Sequence, residues 1–175
     1  VRRAGLIYIR RRGQVRVRAM TKLFLSVLLV ALCSAFGWLL TRKYKQRKTF
    51  FYELDLFNSR LINEVSYTKM PLSAFIDKYS FGGDFGKLLE EKKESGFVSD
   101  SCGIAYLTED EKNFVRDYFL MVGRSDSASQ KEYLRSVQGE TERMRAESGA
   151  DYKKHFDLYV KLGFLFGLIV AIILA

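Results

Sequence analysis

The side chains able to do chemistry in this chain are few, and their spacing limits what they can do. His155 is the only histidine, which removes His-based nucleophilic triads and multi-histidine metal sites. Cys33 and Cys102 lack C-x-x-C spacing and a neighbouring histidine, so neither a disulfide framework nor a zinc site is indicated. Asp84-Phe85-Gly86 spells a kinase triplet, yet no Gly-rich loop, H-R-D loop or matching lysine strand accompanies it. Walker and EF-hand loops do not occur in the sequence. The acids Glu109, Asp110 and Glu111 read as first-turn residues favourable to a helix dipole. No catalytic, cofactor-binding or metal site is expected, and the chain does not read as an enzyme.

The elements that would position these residues are helical. Of 175 residues only one is proline and 13 are glycine, with 48% apolar and 14% aromatic content, a balance that favours long helices over a turn-rich β fold. The net charge of +9 is local: residues 1–19 hold seven arginines and no acid, and the remainder is nearly balanced. With no aromatic stacking platform beside it, this basic extension does not predict nucleic-acid binding. It runs into Met20-Thr21-Lys22 and then apolar sequence. The expectation is that Met20 is the start and that Val1 reflects an upstream GTG codon. A lipid-binding or nucleic-acid-binding arm and a targeting peptide are the alternatives.

Two apolar runs follow. Leu23 to Leu40 is uncharged, bounded by Lys22 and by Arg42, Lys43, Lys45, Arg47 and Lys48. Leu158 to Ala175 carries only Lys161. Its last fourteen residues span about 21 Å of helix, and the whole segment approaches a hydrocarbon core of about 30 Å if Lys161 snorkels. Both read as spanning helices: residues 20–41 and 158–175, flanking a domain at 42–157. A buried C-terminal core helix is the alternative for the second, but after Lys161 it has no polar face. Cys33 as a lipoprotein cysteine is disfavoured, because Leu32 precedes it where a small residue is wanted. Basic residues crowd the domain side of both runs, so the positive-inside rule predicts a cytoplasmic domain. The expected fold class is all-α: a membrane protein with two transmembrane helices flanking a cytoplasmic helical bundle.

Within that domain, Phe50, Phe51, Leu54, Phe57, Leu61, Ile62 and Val65 recur at helical spacing from Thr49 to Met70. Met70-Pro71 predicts a stop, with Pro71 in the first turn of a helix to about Tyr79. Gly82-Gly83 breaks the chain, Asp84 is expected to cap a helix through Glu94, and Gly96 closes it. Thr108 with Glu111 matches a capping box for a helix burying Phe114, Val115, Tyr118, Phe119, Met121 and Val122 and ending at Gly123. From about Ala128 one long helix is expected into the terminal run, with Gly139 and Gly149 each costing ~1 kcal/mol relative to alanine. Inside the apolar runs, Gly163 and Gly167 form GxxxG, and Ala31 with Ala35 is a small-xxx-small pair. Such spacing permits close helix packing or self-association in lipid.

From Met20 onward the chain resembles the stage III sporulation protein AB family. The matching pieces are Glu64-Val65-Ser66-Tyr67 with Met70-Pro71-Leu72, then Val122-Gly123-Arg124-Ser125-Asp126 with Gln130, then Lys161-Leu162-Gly163-Phe164-Leu165 with Gly167-Leu168. Met70 stands where the family has threonine, Val122 where it has leucine, and residues 1–19 have no counterpart. The resemblance implies a sporulation channel component of the mother-cell membrane around the forespore. Its cytoplasmic domain would be similar to the inner-membrane platform protein of type II secretion and would dock a secretion-type ATPase. Expected partners are therefore the lipid bilayer, that ATPase and the channel's other membrane proteins. Glu90, Glu91 and Glu94 or Glu109, Asp110 and Glu111 are candidate contacts for a basic ATPase face. Pro71, Gly123, Asp126 and Gln130 mark the family turns, where Asp126 and Gln130 either cap the long helix or face a partner. A two-span signalling module with no co-encoded ATPase is the alternative function.

Overall fold

The computed structural model describes the backbone of residues 2–67, 70–97, 102–124 and 127–174. Side chains are described for most positions from Phe24 to Ile172; the exceptions within helices are 25, 26, 29, 33, 34, 66, 67, 123, 124, 127, 128, 170 and 171. These residues form five helices and no strand: α1 (Arg2–Tyr67), α2 (Leu72–Lys78), α3 (Gly83–Glu94), α4 (Glu109–Arg124) and α5 (Ser127–Leu174). The chain divides into two compact units, one of Arg42–Lys153 and one of Val1–Thr41 with Lys154–Ala175. Among the described residues, no helix is long and apolar enough to cross a membrane. The two spanning helices expected from the sequence are thus not found among these residues. Several positions of both apolar runs lie outside the described side chains.

The Arg42–Lys153 unit is organised by the apolar stripe of α1. Phe50, Phe51, Leu54, Phe57 and Leu61 are buried, and Ile62 and Val65 pack partly buried against them. Phe57 is the hub. Its ring lies 5.4 Å from Phe75 of α2, 5.3 Å from Phe81, 5.7 Å from Phe85 of α3, and 6.3 and 6.1 Å from Tyr118 and Phe119 of α4. Most of these contacts are edge-to-face, the arrangement that ring quadrupoles prefer.

Each short helix is terminated by local chemistry. Pro71 occupies the N-cap of α2 with φ −58° and ψ 142°, one position outside the helix rather than in its first turn, because the extended ψ lies outside helical geometry. Glu64 anchors the far end of α2, accepting hydrogen bonds from Lys78 and, at 2.6 Å, from the Tyr79 hydroxyl. Gly82 is the N-cap of α3, which corrects the expectation that Asp84 caps it. Asp84 instead accepts from Lys87 Nζ at 2.9 Å and Tyr106 Oη at 3.1 Å. The Lys87 hydrogen bond, opposed by partial burial and aided by Tyr106, holds this carboxyl below its ordinary range.

The kinase-like triplet is therefore structural. Phe85 is fully buried, and a Cβ on Gly86 would lie 2.2 Å from the Phe81 carbonyl oxygen.

The end of α3 is a Schellman motif, with Phe97 N–H donating to Lys92 O at 2.7 Å and Gly96 N–H to Lys93 O at 3.2 Å. Gly96 takes φ +63° as this motif requires, and Phe97 follows at φ +61°, its ring 6.5 Å from Phe119. The capping box forms reciprocally: Thr108 N–H donates to Glu111 Oε2 at 2.9 Å and Glu111 N–H to Thr108 Oγ1 at 3.3 Å. Helix α4 passes through Gly123 to Arg124 and leaves Met121 exposed, contrary to the predicted core list. Tyr118, Phe119 and Val122 already fill the buried face. Helix α5 runs unbroken through Gly139 and Gly149, where an added Cβ would meet nothing within 4 Å.

These glycines separate two physical roles. Gly86→Ala is expected to destabilise the unit by about 1–3 kcal/mol through overpacking, whereas Gly139→Ala should stabilise it by about 0.5–1 kcal/mol. Denaturant unfolding followed by helical circular dichroism reads both, and equal stability of Gly86→Ala and the parent would contradict the contact with Phe81.

Candidate functional site

In the Arg42–Lys153 unit the polar side chains of α1 form a buried seam with α4 and α5. Arg47 donates from Nε and Nη2 to Glu111 Oε1 at 2.8 and 2.6 Å and from Nη1 to Asp151 Oδ2 at 2.7 Å. Burial opposes the charge on its guanidinium, but the hydrogen bonds and charge of Glu111 and then Asp151 hold its pKa above the ordinary value. Two turns on, Asp55 accepts from Thr141 Oγ1 at 3.1 Å and Arg145 Nη1 at 2.9 Å. Asn58 donates to Leu134 O at 3.2 Å and accepts from Tyr118 Oη at 3.0 Å. Complete burial, with smaller contributions from Tyr133 and Asp55, pushes the Tyr118 hydroxyl well above its usual range, so it stays a neutral donor. Every buried side-chain polar atom among the described residues has a partner.

This seam is a structural clamp, and it changes the reading of one predicted contact. Glu111 is buried and committed to Arg47 and to its own capping box, so it cannot be a partner-facing acid. Glu109 and Asp110 are exposed in the first turn of α4, with Glu109 accepting from Lys112 at 2.8 Å. Glu90, Glu91 and Glu94 are exposed on α3.

Of the family-turn residues, Pro71 is exposed at the α2 N-cap and Gly123 lies in the last turn of α4. Gln130 donates from Nε2 to Val122 O at 3.1 Å. It thus satisfies a carbonyl at the end of α4 rather than capping α5. Asp126 lies outside the described residues. Among the described residues, no group of three His, Cys, Asp or Glu side chains could hold a metal ion. Cys102 is a free, half-buried thiol whose pKa burial raises.

The second unit pairs the N-terminal part of α1 with the C-terminal part of α5. Gly167 is buried, and a Cβ there would lie 3.1 Å from the Val30 Cα. Gly37 is likewise buried, and a Cβ there would lie 2.9 Å from the Tyr159 carbonyl oxygen. Gly163 joins Gly37, Leu32, Phe36, Tyr159 and Phe166 among the residues lining an apolar cleft between the two helices. The GxxxG face of α5 therefore meets α1, but Ala31 and Ala35 do not answer it; both are exposed. Their four-residue spacing places them on one face, and that face points away from α5. Among the described residues, Gly37 is the small residue of α1 that meets α5, marked out by the opposing backbone carbonyl of Tyr159.

Arg47 is legible in principle: it falls on the same stripe as Phe51, Leu54 and Asn58, at steps of four, three and four, so a charge there must be buried with a partner.

The arrangement defines an all-α protein of two helical units, one with an aromatic core and a satisfied polar clamp, the other an apolar helix pair. Residues 97–175, somewhat under half the chain, match the model of the stage III sporulation protein AB family. Over that stretch, which takes in α4 and α5, the chain is similar to this family. No curated protein and no solved structure matches the chain.

Two measurements test these contacts. Arg47→Met strands the buried Glu111 carboxylate and is expected to cost about 2–4 kcal/mol. Arg47→Met with Glu111→Gln should cost less than the sum of the two single changes in denaturant unfolding, and additivity would show that the two side chains are not coupled. In the helix pair, Gly37→Ile or Gly167→Ile is expected to abolish disulfide formation between cysteines placed at Phe36 and Leu162, which line the same cleft, while Ala35→Ile leaves it intact. Equal crosslinking in all three would mean that the glycine contacts do not set the pairing.

Proposed function

We propose that this protein is a membrane-seated component of the mother-cell sporulation channel, with its Arg42–Lys153 unit facing the cytoplasm and docking the channel's secretion-type ATPase. The observation that carries the membrane seat is the distribution of exposed apolar surface. Every exposed large hydrophobic side chain among the described residues except Tyr52 and Met121 belongs to the helix pair; Phe24 is 71% exposed and Ile172 67%. Such surface is unfavourable in water and favourable in hydrocarbon, and helices satisfy their own backbone there. Trp38 and Tyr159 stand near the charged ends of the two runs, where interfacial aromatics sit. The basic residues Arg42, Lys43 and Lys45 on one side of the first run favour a cytoplasmic domain.

The docking role rests on the family match together with the character of the Arg42–Lys153 unit. Its core is closed and its buried polar groups are satisfied, so it offers a rigid surface with exposed acids on α3 and at the start of α4. Such a surface suits attachment of a soluble, basic-faced partner, in the manner of the platform protein of type II secretion.

Alkaline carbonate extraction of sporulating-cell membranes, followed by protease protection, tests the seat: the chain is expected to stay in the pellet with its middle unit digested from the cytoplasmic side. Release into the supernatant would overturn the membrane reading. Co-purification of the detergent-solubilised full chain with the co-encoded ATPase tests the docking, with retention at low salt and weakening at high salt expected. No retention at low salt would remove the ATPase from the proposal.

A further inference from the structure

The Arg42–Lys153 unit carries a surface groove of about 600 Å³ between the end of α2 and the outer face of α3, within the size range of ligand clefts, ~300–1,000 Å³. Ile76 and Phe81 supply its apolar lining, backed by the buried Leu89. Asp77 and Lys93 pair across it, and Lys78 is committed to Glu64. The remaining charges of the lining are Glu90 and Glu94, one helical turn apart on the α3 rim. Both are exposed, and neither has an ion pair or hydrogen bond among the described residues.

The linker along the groove is extended. Tyr79 at one end has φ −114° and ψ 124°, and Gly82 at the other has φ −95° and ψ 171°, both extended. Between them Ser80 and Phe81 make no backbone hydrogen bond among the described residues. An extended linker with Ser80 exposed, beside the apolar side chains of Ile76 and Phe81 and the exposed carboxylates of Glu90 and Glu94, has the features that bind an extended basic peptide. An apolar side chain enters the pocket, and charges at the rim select the partner.

We propose that this groove is a docking site for an extended basic segment of a partner protein. Its arginine or lysine side chains pair with Glu90 and Glu94, and an apolar side chain seats on Ile76 and Phe81. This inference deepens the docking role proposed above and rests on it only for the identity of the partner. It places the contact on α3 rather than on Glu109 and Asp110 of α4. The groove lies outside residues 97–175.

The test uses the detergent-solubilised full chain and a fluorescent probe peptide of alternating arginine and leucine, with a glutamate–leucine peptide as the opposite-charge control. The basic probe is expected to bind and the acidic one not. Glu90→Gln with Glu94→Gln should weaken the basic probe by about tenfold, while Glu109→Gln with Asp110→Asn leaves it unchanged. Because all four positions are exposed, these variants fold as the parent does, which circular dichroism checks. Failure of the basic probe to bind, or equal loss in both double variants, would overturn the groove as the site. The same variants in the ATPase co-purification separate the two proposals. Retention of the ATPase by Glu90→Gln/Glu94→Gln as well as by the parent would refute this groove as the docking site and leave the docking role standing. Probe binding without ATPase retention by the parent would do the reverse.

Discussion

The Arg42–Lys153 unit depends on one ring. Phe57 sits on the apolar stripe of α1 and reaches aromatic side chains from α2, the α2–α3 linker, α3 and α4 within about 6 Å. Helices as short as α2 and α3 have little stability of their own, so their position is set by what they bury against this stripe. The close approach of Gly86 to Phe81, the Schellman turn ending α3 and the Glu64 anchor at the end of α2 follow from holding three short elements around a single aromatic centre. Each removes a conflict that the packing would otherwise create.

Aromatic packing fixes the short helices, but it does not fix the register of the long ones. An apolar stripe on α5 can slide against α1 at small cost, while paired polar groups cannot. Arg47 with Glu111 and Asp151, Asp55 with Thr141 and Arg145, and Asn58 with Leu134 and Tyr118 occur in order along α1. A shift of one turn would leave most of them buried without partners, at a cost of several kcal/mol. The clamp thus sets which residues of α5 lie opposite which residues of α1. In the helix pair the same office falls to steric fit, since Gly37 and Gly167 admit the Tyr159 carbonyl and Val30 only in one register.

Much of this is legible in the amino-acid sequence. The stripe from Phe50 to Leu61, the Thr108–Glu111 capping box, the stop at Gly96 and the long final helix are encoded in short-range patterns, because helical periodicity and cap chemistry involve residues within four positions of one another. The family motifs in the C-terminal half are readable too, and the match over residues 97–175 supports them. The features that local patterns misplace depend on distant neighbours. Asp84 has the position of a cap but bonds Tyr106; Met121 has the hydropathy of a core residue but points outward; Ala31 and Ala35 have the right spacing on the wrong face. Glu111 belongs by sequence to an acidic surface but is turned inward onto Arg47, sixty-four positions away.

The sequence by itself determined that the chain is helical, about where its helices lie, and where its apolar surface is concentrated. Those properties follow from dihedral preferences, capping and hydropathy, all of which act locally. Only the tertiary structure decided which charges are buried in the clamp and which remain on the surface, which glycines carry close contacts, and that the α2–α3 linker lies extended along a groove. These depend on side chains brought together from opposite ends of the chain, and the energy of a buried charge or a steric contact is defined only once its partner is in place.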